Sequence, residues 1–422
     1  MDVLIPILGL GVLVGLCWLL SSDRRAVDWR IPALGILLQV VFGWLALKTS
    51  GGRWLFERAG EGVTALLGFT HEGARFVFGP ALMGDALGRA ADGSPLGMGF
   101  VFAFQVLPSI LFFSALMSVL YHLRVLEVVV RGIGGLLRNV MRVSGAEAFS
   151  AAANIFVGQT EAPFVIKPFL PKMTRSEVFC VMTGGFATVA GGVMAGYVAM
   201  FRGNPVFASK IAGHLIAASV MSAPAALACA KIMCPETEEP ATRGRTHLVL
   251  ERPARNVLDA AVIGTRDGLV LAANVGAMLI AFIALIALAN AMLAGVGGWF
   301  GAPSLSFERV LGWVFAPMAW LMGAPWSEAG RVGEFVGMKT VLNEYVAYSR
   351  LAPVTDLSER SMVVATYALC GFSNFASIAI QVGGIGAMVP EQRDTLARNG
   401  LPAMVAGSFA CFMTACVAAM LT

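Results

Sequence analysis

Two glutamates lie where a carboxylate is expensive. Glu161 belongs to Gly158-Gln159-Thr160-Glu161-Ala162-Pro163, and Glu344 to Asn343-Glu344-Tyr345-Val346-Ala347-Tyr348. Both stretches interrupt segments otherwise apolar enough to enter a membrane. A charge at the bilayer centre costs roughly 3 kcal/mol on insertion scales and marks a functional site by default. The chemistry open to such a pair is of two kinds. An ionised carboxylate can accept hydrogen bonds from two ligand hydroxyls at once. Two acids sharing one proton could instead activate water at a scissile bond, as in an intramembrane hydrolase. The amides and hydroxyls beside both glutamates suit ligand hydrogen bonding better, and neither segment has an Asp-centred protease motif. The only nearby Gly-Asp, Gly84-Asp85, falls outside the spanning stretches.

The same pattern of elements surrounds each glutamate. Thr188, in Phe186-Ala187-Thr188-Val189-Ala190-Gly191-Gly192, comes 27 residues after Glu161. Asn374, in Phe372-Ser373-Asn374-Phe375-Ala376-Ser377, comes 30 residues after Glu344. Both later motifs interrupt apolar helices. Each unit therefore reads as a half-penetrating hairpin with an acid near its tip (145–170 and 308–350), a helix broken at mid-length, and one further helix. The arms of the first hairpin, about a dozen residues each, span about 18 Å as helix, which enters a bilayer without crossing it. Non-helical backbone at that depth must be covered by protein or line a cavity. With the first hairpin entering from inside and the second from outside, the units are inverted copies, an arrangement that puts a binding site at the midplane.

Composition supplies the solvent. Of 422 residues, 57 % are apolar and 13 % charged, whereas soluble domains are nearer 25 % charged. A net charge of +4 gives no field for gathering nucleic acid. Eight stretches approach the roughly 20 residues a bilayer requires: 3–20, 31–47, 98–121, 178–200, 206–231, 269–293, 362–382 and 401–421. The first is expected to be a retained span rather than a signal peptide, since it lacks a basic start and a small-residue cleavage site. Arg53, Glu57, Glu61 and Thr64, opposite Leu55, Ala59, Val63 and Leu66, predict a helix lying in the interface. The fold class is thus an all-α polytopic membrane protein with eight spans, an interfacial helix and two re-entrant hairpins in inverted repeats, with helices 4 and 7 broken. If the chain starts outside, the inner loops hold 18 of the 30 Lys and Arg, so both termini are expected in the periplasm.

Other patterns carry less. The four His have no metal spacing and lie mostly at predicted helix ends. The seven Cys form no framework and read as buried thiols. The paired glycines at 191–192 and 383–384 read as close-packing positions. No GxxxxGK[ST] phosphate loop occurs. The charge-mixed stretch 234–255 reads as a solvated linker between the two units.

The three motifs Gly158–Pro163, Asn343–Tyr348 and Gly371–Ile378, in this order, closely resemble the signatures of concentrative nucleoside transporters, and the likeness runs over nearly the whole chain. The resemblance implies a homotrimer in a bacterial inner membrane that imports nucleosides such as uridine, cytidine and adenosine. It implies a scaffold of residues 1–121 and 232–295, and a transport domain of 122–231 and 296–422 that moves like an elevator. Carried onto this sequence, it implies that Glu344, Asn374 and Ser377 hold the ribose hydroxyls. Gln159, Thr160 and Glu161 would meet the nucleobase, with Phe372 packing beside the substrate. The residues alone leave open that Gln159, Thr160, Asn374 and Ser377 cap broken helix ends, and that Lys339 or Arg350 pairs with a glutamate. The family's sodium site matches Asn154, the Val157 carbonyl, Thr188 and the Val189 carbonyl, an oxygen set suited to a hard cation. Sodium is therefore the expected coupling ion and no organic cofactor is expected; proton coupling is the alternative, because a desolvated glutamate can titrate.

Overall fold

The computed structural model describes residues 3–83, 88–89, 95–96, 101–204, 207–243, 254–299 and 305–422. Gly84, Asp85, His247 and residues 244–253 of the linker lie outside them. Among the described residues the regular structure is helical except for one two-residue antiparallel pairing, Gly88–Arg89 with Pro95–Leu96.

The first third forms α1 (Leu4–Leu19), α2 (Arg30–Leu47), α3 (Ser50–Phe78), α4 (Phe102–Gln105) and α5 (Leu107–His122). The expected interfacial helix is α3, which runs 29 residues. Thr49 starts it by accepting the Gly52 N–H at 2.9 Å. Residues 122–142, a basic stretch between two of the predicted spans, hold the amphipathic helix α6 (Val125–Met141), bounded by Arg124 and Arg142 in left-handed conformation. Its apolar residues recur at helical spacing, and charge content alone hid them. Gly134 of α6 leaves room for the Phe149 ring of the next helix, α7 (Gly145–Asn154).

The first hairpin is asymmetric. Its entry arm is α7, started by a Ser144–Glu147 capping box. The return arm holds only short 3-10 turns, Ala162–Ile166 and Leu170–Lys172. Pro163, Pro168 and Pro171 remove the donors a continuous α-helix would need. Next come α8 (Arg175–Ala187), a break at 188–190, α9 (Gly191–Met200) and α10 (Ile211–Met233). Beneath this half, buried Lys231 pairs with Glu147 and donates to Ser176 Oγ at 2.9 Å.

α11 (Val257–Trp299) follows the linker and is 43 residues long, about 65 Å at 1.5 Å per residue. It runs against α5, and a Cβ at Gly268 would stand 2.9 Å from Leu111 Cα, the close approach that small residues permit between membrane helices. The second half departs from the expected hairpin boundary. Residues 308–321 are not its entry arm but part of a separate helix, α12 (Phe307–Leu321), which turns at Gly323 (φ 109°) and runs back along α13 (Trp326–Val341). The hairpin itself is α13 with α14 (Glu344–Leu351), folded at 342–343. Then come α15 (Glu359–Leu369), a break at 370–374, α16 (Phe375–Met388) and α17 (Arg393–Leu421).

Among the described residues, six helical stretches are long and apolar enough to span a membrane: α2, α4–α5, α8–α9, α10, α11 and the stretch ending in α17. Their burial divides them. In α8–α9, α10 and the α17 stretch, 78–89 % of the apolar window is buried, against 22–28 % in α2, α4–α5 and α11. The first set forms the core, and the second turns its side chains outward. Gln39 of α2, wholly buried, donates to Thr414 of α17 at 2.8 Å across this boundary.

The two helix breaks meet. A Cβ at Gly371 would lie 2.8 Å from the Phe186 carbonyl oxygen, so only glycine allows this approach. Cys411 Sγ, on α17, donates to the carbonyls of Cys370 (3.2 Å) and Ala187 (3.6 Å), one at each break.

Candidate functional site

Glu344 is the first residue of α14 and is 4 % exposed. Asn343 caps that helix, accepting the Val346 N–H at 2.9 Å. Asn374 caps α16 in the same way through Ser377 N (2.9 Å), and its Nδ2 donates to Glu344 Oε2 at 2.8 Å. One carboxylate thus lies at the starts of two helices, where the backbone dipole favours negative charge. The capping reading of Asn374 is built, since its oxygen starts a helix, and its nitrogen at the same time orients the acid. Lys339, wholly buried, donates to the Ala368 carbonyl at 2.9 Å, and no ion pair with Glu344 is found among the described residues. Beside Glu344, Tyr197 of α9 stacks on Tyr348 (centroids 4.4 Å) and meets Tyr345 edge-on (4.9 Å). The Tyr345 hydroxyl is buried without a partner among the described residues. Phe372, 9 % exposed, and Ser377, 3 % exposed, complete this end.

The first hairpin supplies the other end. Its tip is a tight turn in which Glu161 N and Ala162 N both donate to the Gly158 carbonyl (3.1 and 2.9 Å). The Glu161 carboxylate folds back over Gly158, occupying the space a side chain there would need. Glu161 is solvent-accessible, unlike buried Glu344. Gln159 is 7 % exposed and accepts a hydrogen bond from Gln381 of α16 at 2.9 Å. Thr160 packs on the same helix at Gly384, where a Cβ would be 2.9 Å from Thr160 Cγ2. Asn374 and Gln381 are seven residues apart, two turns on one face of α16, so the two ends are separated by about 10 Å along its axis.

Two of the four groups expected around a cation, the Asn154 and Thr188 side chains, converge, and the segments that carry Val157 and Val189 are joined by a backbone hydrogen bond. Asn154 ends α7, is 1 % exposed, and donates from Nδ2 to the Ser150 carbonyl at 3.1 Å. Among the described residues its Oδ1 is buried and unpartnered, as is Ser150 Oγ. Thr188, at the α8 break, donates to the Gly184 carbonyl at 2.8 Å. A Cβ on Gly184 would be 3.3 Å from Asn154 Nδ2, so both side chains converge on that residue. Phe156, next to Val157, accepts the Gly191 N–H at 3.0 Å, joining the hairpin tip to the break that carries Val189. A buried amide oxygen with nothing to accept from, among backbone carbonyls freed by a helix end, is a donor set that fits a hard cation. Among the described residues no group of three or more His, Cys, Asp or Glu forms a transition-metal site.

Two features escaped the sequence. Gln381 is a lone amide within an apolar run, and Tyr197 reaches Glu344's surroundings only because α9 packs beside α14. Paired-acid chemistry is not built: Glu344 is held by Asn374, and Glu161 lies over Gly158.

Comparison with known proteins covers the chain in three blocks. Residues 8–81 and 214–419 match the N- and C-terminal models of the Na+ dependent nucleoside transporter, and 103–203 match a nucleoside recognition (gate) model. An uncharacterized transporter of Haemophilus influenzae is 44 % identical over 427 residues, covering 100 % of this chain and 98 % of the relative. The nucleoside permease NupC of Helicobacter pylori is 41 % identical over 423 residues, covering 99 % and 97 %. CNTnw is 43 % identical; its inward-facing, substrate-bound structure superposes with a TM-score of 0.89 over 100 % of this chain and 98 % of that one, and a doubly substituted variant of it in an outward-facing state with 0.91 over 100 % and 99 %. The chain is a multi-pass membrane protein belonging to the concentrative nucleoside transporter family, a family of transporters and not of enzymes.

Proposed function

We propose that this protein is a secondary active symporter that imports nucleosides, uridine, cytidine and adenosine among them, by coupling to an inward sodium gradient. One observation carries the reading: two hairpins from different halves of the chain present hydrogen-bonding side chains to a single face of α16, about 10 Å apart, roughly the length of a nucleoside. At one end Glu344 accepts from the ribose hydroxyls through Oε1, its Oε2 being held by Asn374. Asn374 offers its second N–H, and Ser377 its hydroxyl. At the other end Gln159 and Thr160 read the base, with Glu161 reaching it directly or through water, and Phe372 flanks the substrate.

Sodium is the second substrate. Asn154 Oδ1, the Val157 and Val189 carbonyls and Thr188 Oγ1 would bind it, drawing the first hairpin against the α8–α9 break. Gln159 is two residues beyond Val157, so ion binding orders the base-reading end of the nucleoside site. A membrane potential of about 100 mV adds about 2.3 kcal/mol per sodium moved, close to fiftyfold accumulation.

The remaining assignments extend this reading. Eight crossings, with α8–α9 and α15–α16 as the broken fourth and seventh, leave the two hairpins re-entrant and the two halves inverted. Residues 1–121 and 232–295 act as scaffold, trimerising through outward faces such as that of α11, and 122–231 with 296–422 move between states. The site belongs to a bacterial inner-membrane protein with periplasmic termini. Uridine uptake into proteoliposomes should collapse when sodium is replaced by choline at fixed pH. Unchanged uptake, or uptake driven by an imposed pH gradient alone, would refute sodium coupling.

A further inference from the structure

We propose that Gln381 is a positioning residue that sets which way the Gln159 amide faces, and so makes the base-reading end of the site a hydrogen-bond donor. This rests on the reading of Gln159 as a base contact.

Gln381 is wholly buried on α16. Its Nε2 donates both to the Met182 carbonyl of α8 (3.1 Å) and to Gln159 Oε1 (2.9 Å). An amide's nitrogen and oxygen are distinguished only by their partners, and here the partner decides. A backbone carbonyl can only accept, so the Gln381 atom facing Met182 must be nitrogen. The Gln159 atom facing that nitrogen must then be oxygen. The Gln159 NH2 is left pointing away, free to donate to an acceptor on a nucleobase edge: a pyrimidine carbonyl, or a ring nitrogen of a purine. Both base classes carry such acceptors, so one locked donor serves either.

The cost of this arrangement is visible. Among the described residues Gln381 Oε1 is buried without a partner, and an unsatisfied buried amide oxygen destabilises a fold. An apolar residue would avoid that cost if packing were the only duty of the position. Space around the pair is also restricted: a Cβ on Gly185 would lie 2.7 Å from Gln381 Nε2 and 2.9 Å from Gln159 Cβ.

The test compares inhibition constants of uridine and of 1-phenylriboside against labelled uridine uptake in sodium. The phenyl compound keeps the sugar and a flat ring but has no base-edge hydrogen-bonding group. Gln381→Met should weaken uridine about 3- to 10-fold, the worth of one neutral hydrogen bond, and leave the phenylriboside unchanged. Gly185→Ala, which displaces the pair without removing the donor, should do the same and serves if Gln381→Met does not fold. In a Gln159→Ala background, Gln381→Met should have no further effect on either ligand. If Gln159→Ala lowers uridine selectivity but Gln381→Met and Gly185→Ala do not, the positioning role is wrong while the base contact stands. If Gln159→Ala leaves selectivity intact, the base contact itself is wrong and the proposal falls with it. Equal losses for both ligands in the Gln381 variant would mean a general packing role and overturn it.

Discussion

Asn374 does two jobs that substitution can separate. Its oxygen caps α16 through Ser377 N, and its nitrogen holds Glu344 at 2.8 Å. An N-cap contributes about 1 kcal/mol, and a hydrogen bond to an ionised group about 1.5–3 kcal/mol. Asn374→Ser keeps a good capping hydroxyl but stops short of Glu344. It should weaken uridine binding about 10- to 100-fold, at 1.4 kcal/mol per factor of ten, with the detergent melting temperature nearly unchanged. Asn374→Ala should lose as much affinity and also about 1 kcal/mol of stability. Asn374→Asp keeps the cap but sets a second carboxylate against the first, so it should bind more weakly than the serine variant. Competition of unlabelled against labelled uridine at saturating sodium reads affinity, and thermal unfolding in detergent reads stability. Parent-like uridine affinity in Asn374→Ser would refute the claim that this amide orients the acid.

Three further outcomes follow from the geometry. Glu344→Gln keeps shape while removing the charge and should abolish most uridine uptake without lowering the melting temperature; full activity would remove Glu344 from the ribose site. Thr188→Val deletes one ion-binding oxygen and should raise the sodium concentration for half-maximal uptake about 3- to 10-fold with little change in uridine affinity at saturating sodium; an unaltered sodium dependence would exclude Thr188. Lys231→Met leaves Glu147, 1 % exposed, without its counter-charge and should cost about 3–5 kcal/mol, much of it recovered by adding Glu147→Met; equal melting of the single and double variants would show that the pair carries no such energy.

The site motifs were legible because polar residues interrupting apolar runs are costly, and only a few such interruptions exist in the chain. Glu161, Thr188, Glu344 and Asn374 were found in that way. What escaped depends on tertiary placement or on local backbone chemistry. The three prolines of 163–171 were visible, yet their consequence, a return arm of 3-10 turns, needed the hydrogen-bond pattern. The boundary between α12 and the hairpin is hidden in the sequence because Gly323, which turns the chain there, is one glycine among 48. The charges of α6 mask its helical pattern in the sequence, although Leu126, Val130, Gly134, Leu137 and Met141 lie on one buried stripe. Gln381 lies 222 residues from Gln159, and no spacing rule connects them. The Lys231–Glu147 pair is similarly non-local: two charges in separate segments, matched only when α7 packs beside α10.

The account rests on one nucleoside spanning the two hairpins, sugar at Glu344 and base at Gln159. A structure of the protein in uridine and sodium tests this most directly. The expected result is ribose hydroxyls within 3.2 Å of the Glu344 carboxylate, the uracil edge against Gln159 Nε2, and density for an ion at Asn154 and Thr188. A uridine bound in the reverse direction, or bound without contact to either hairpin, would contradict it.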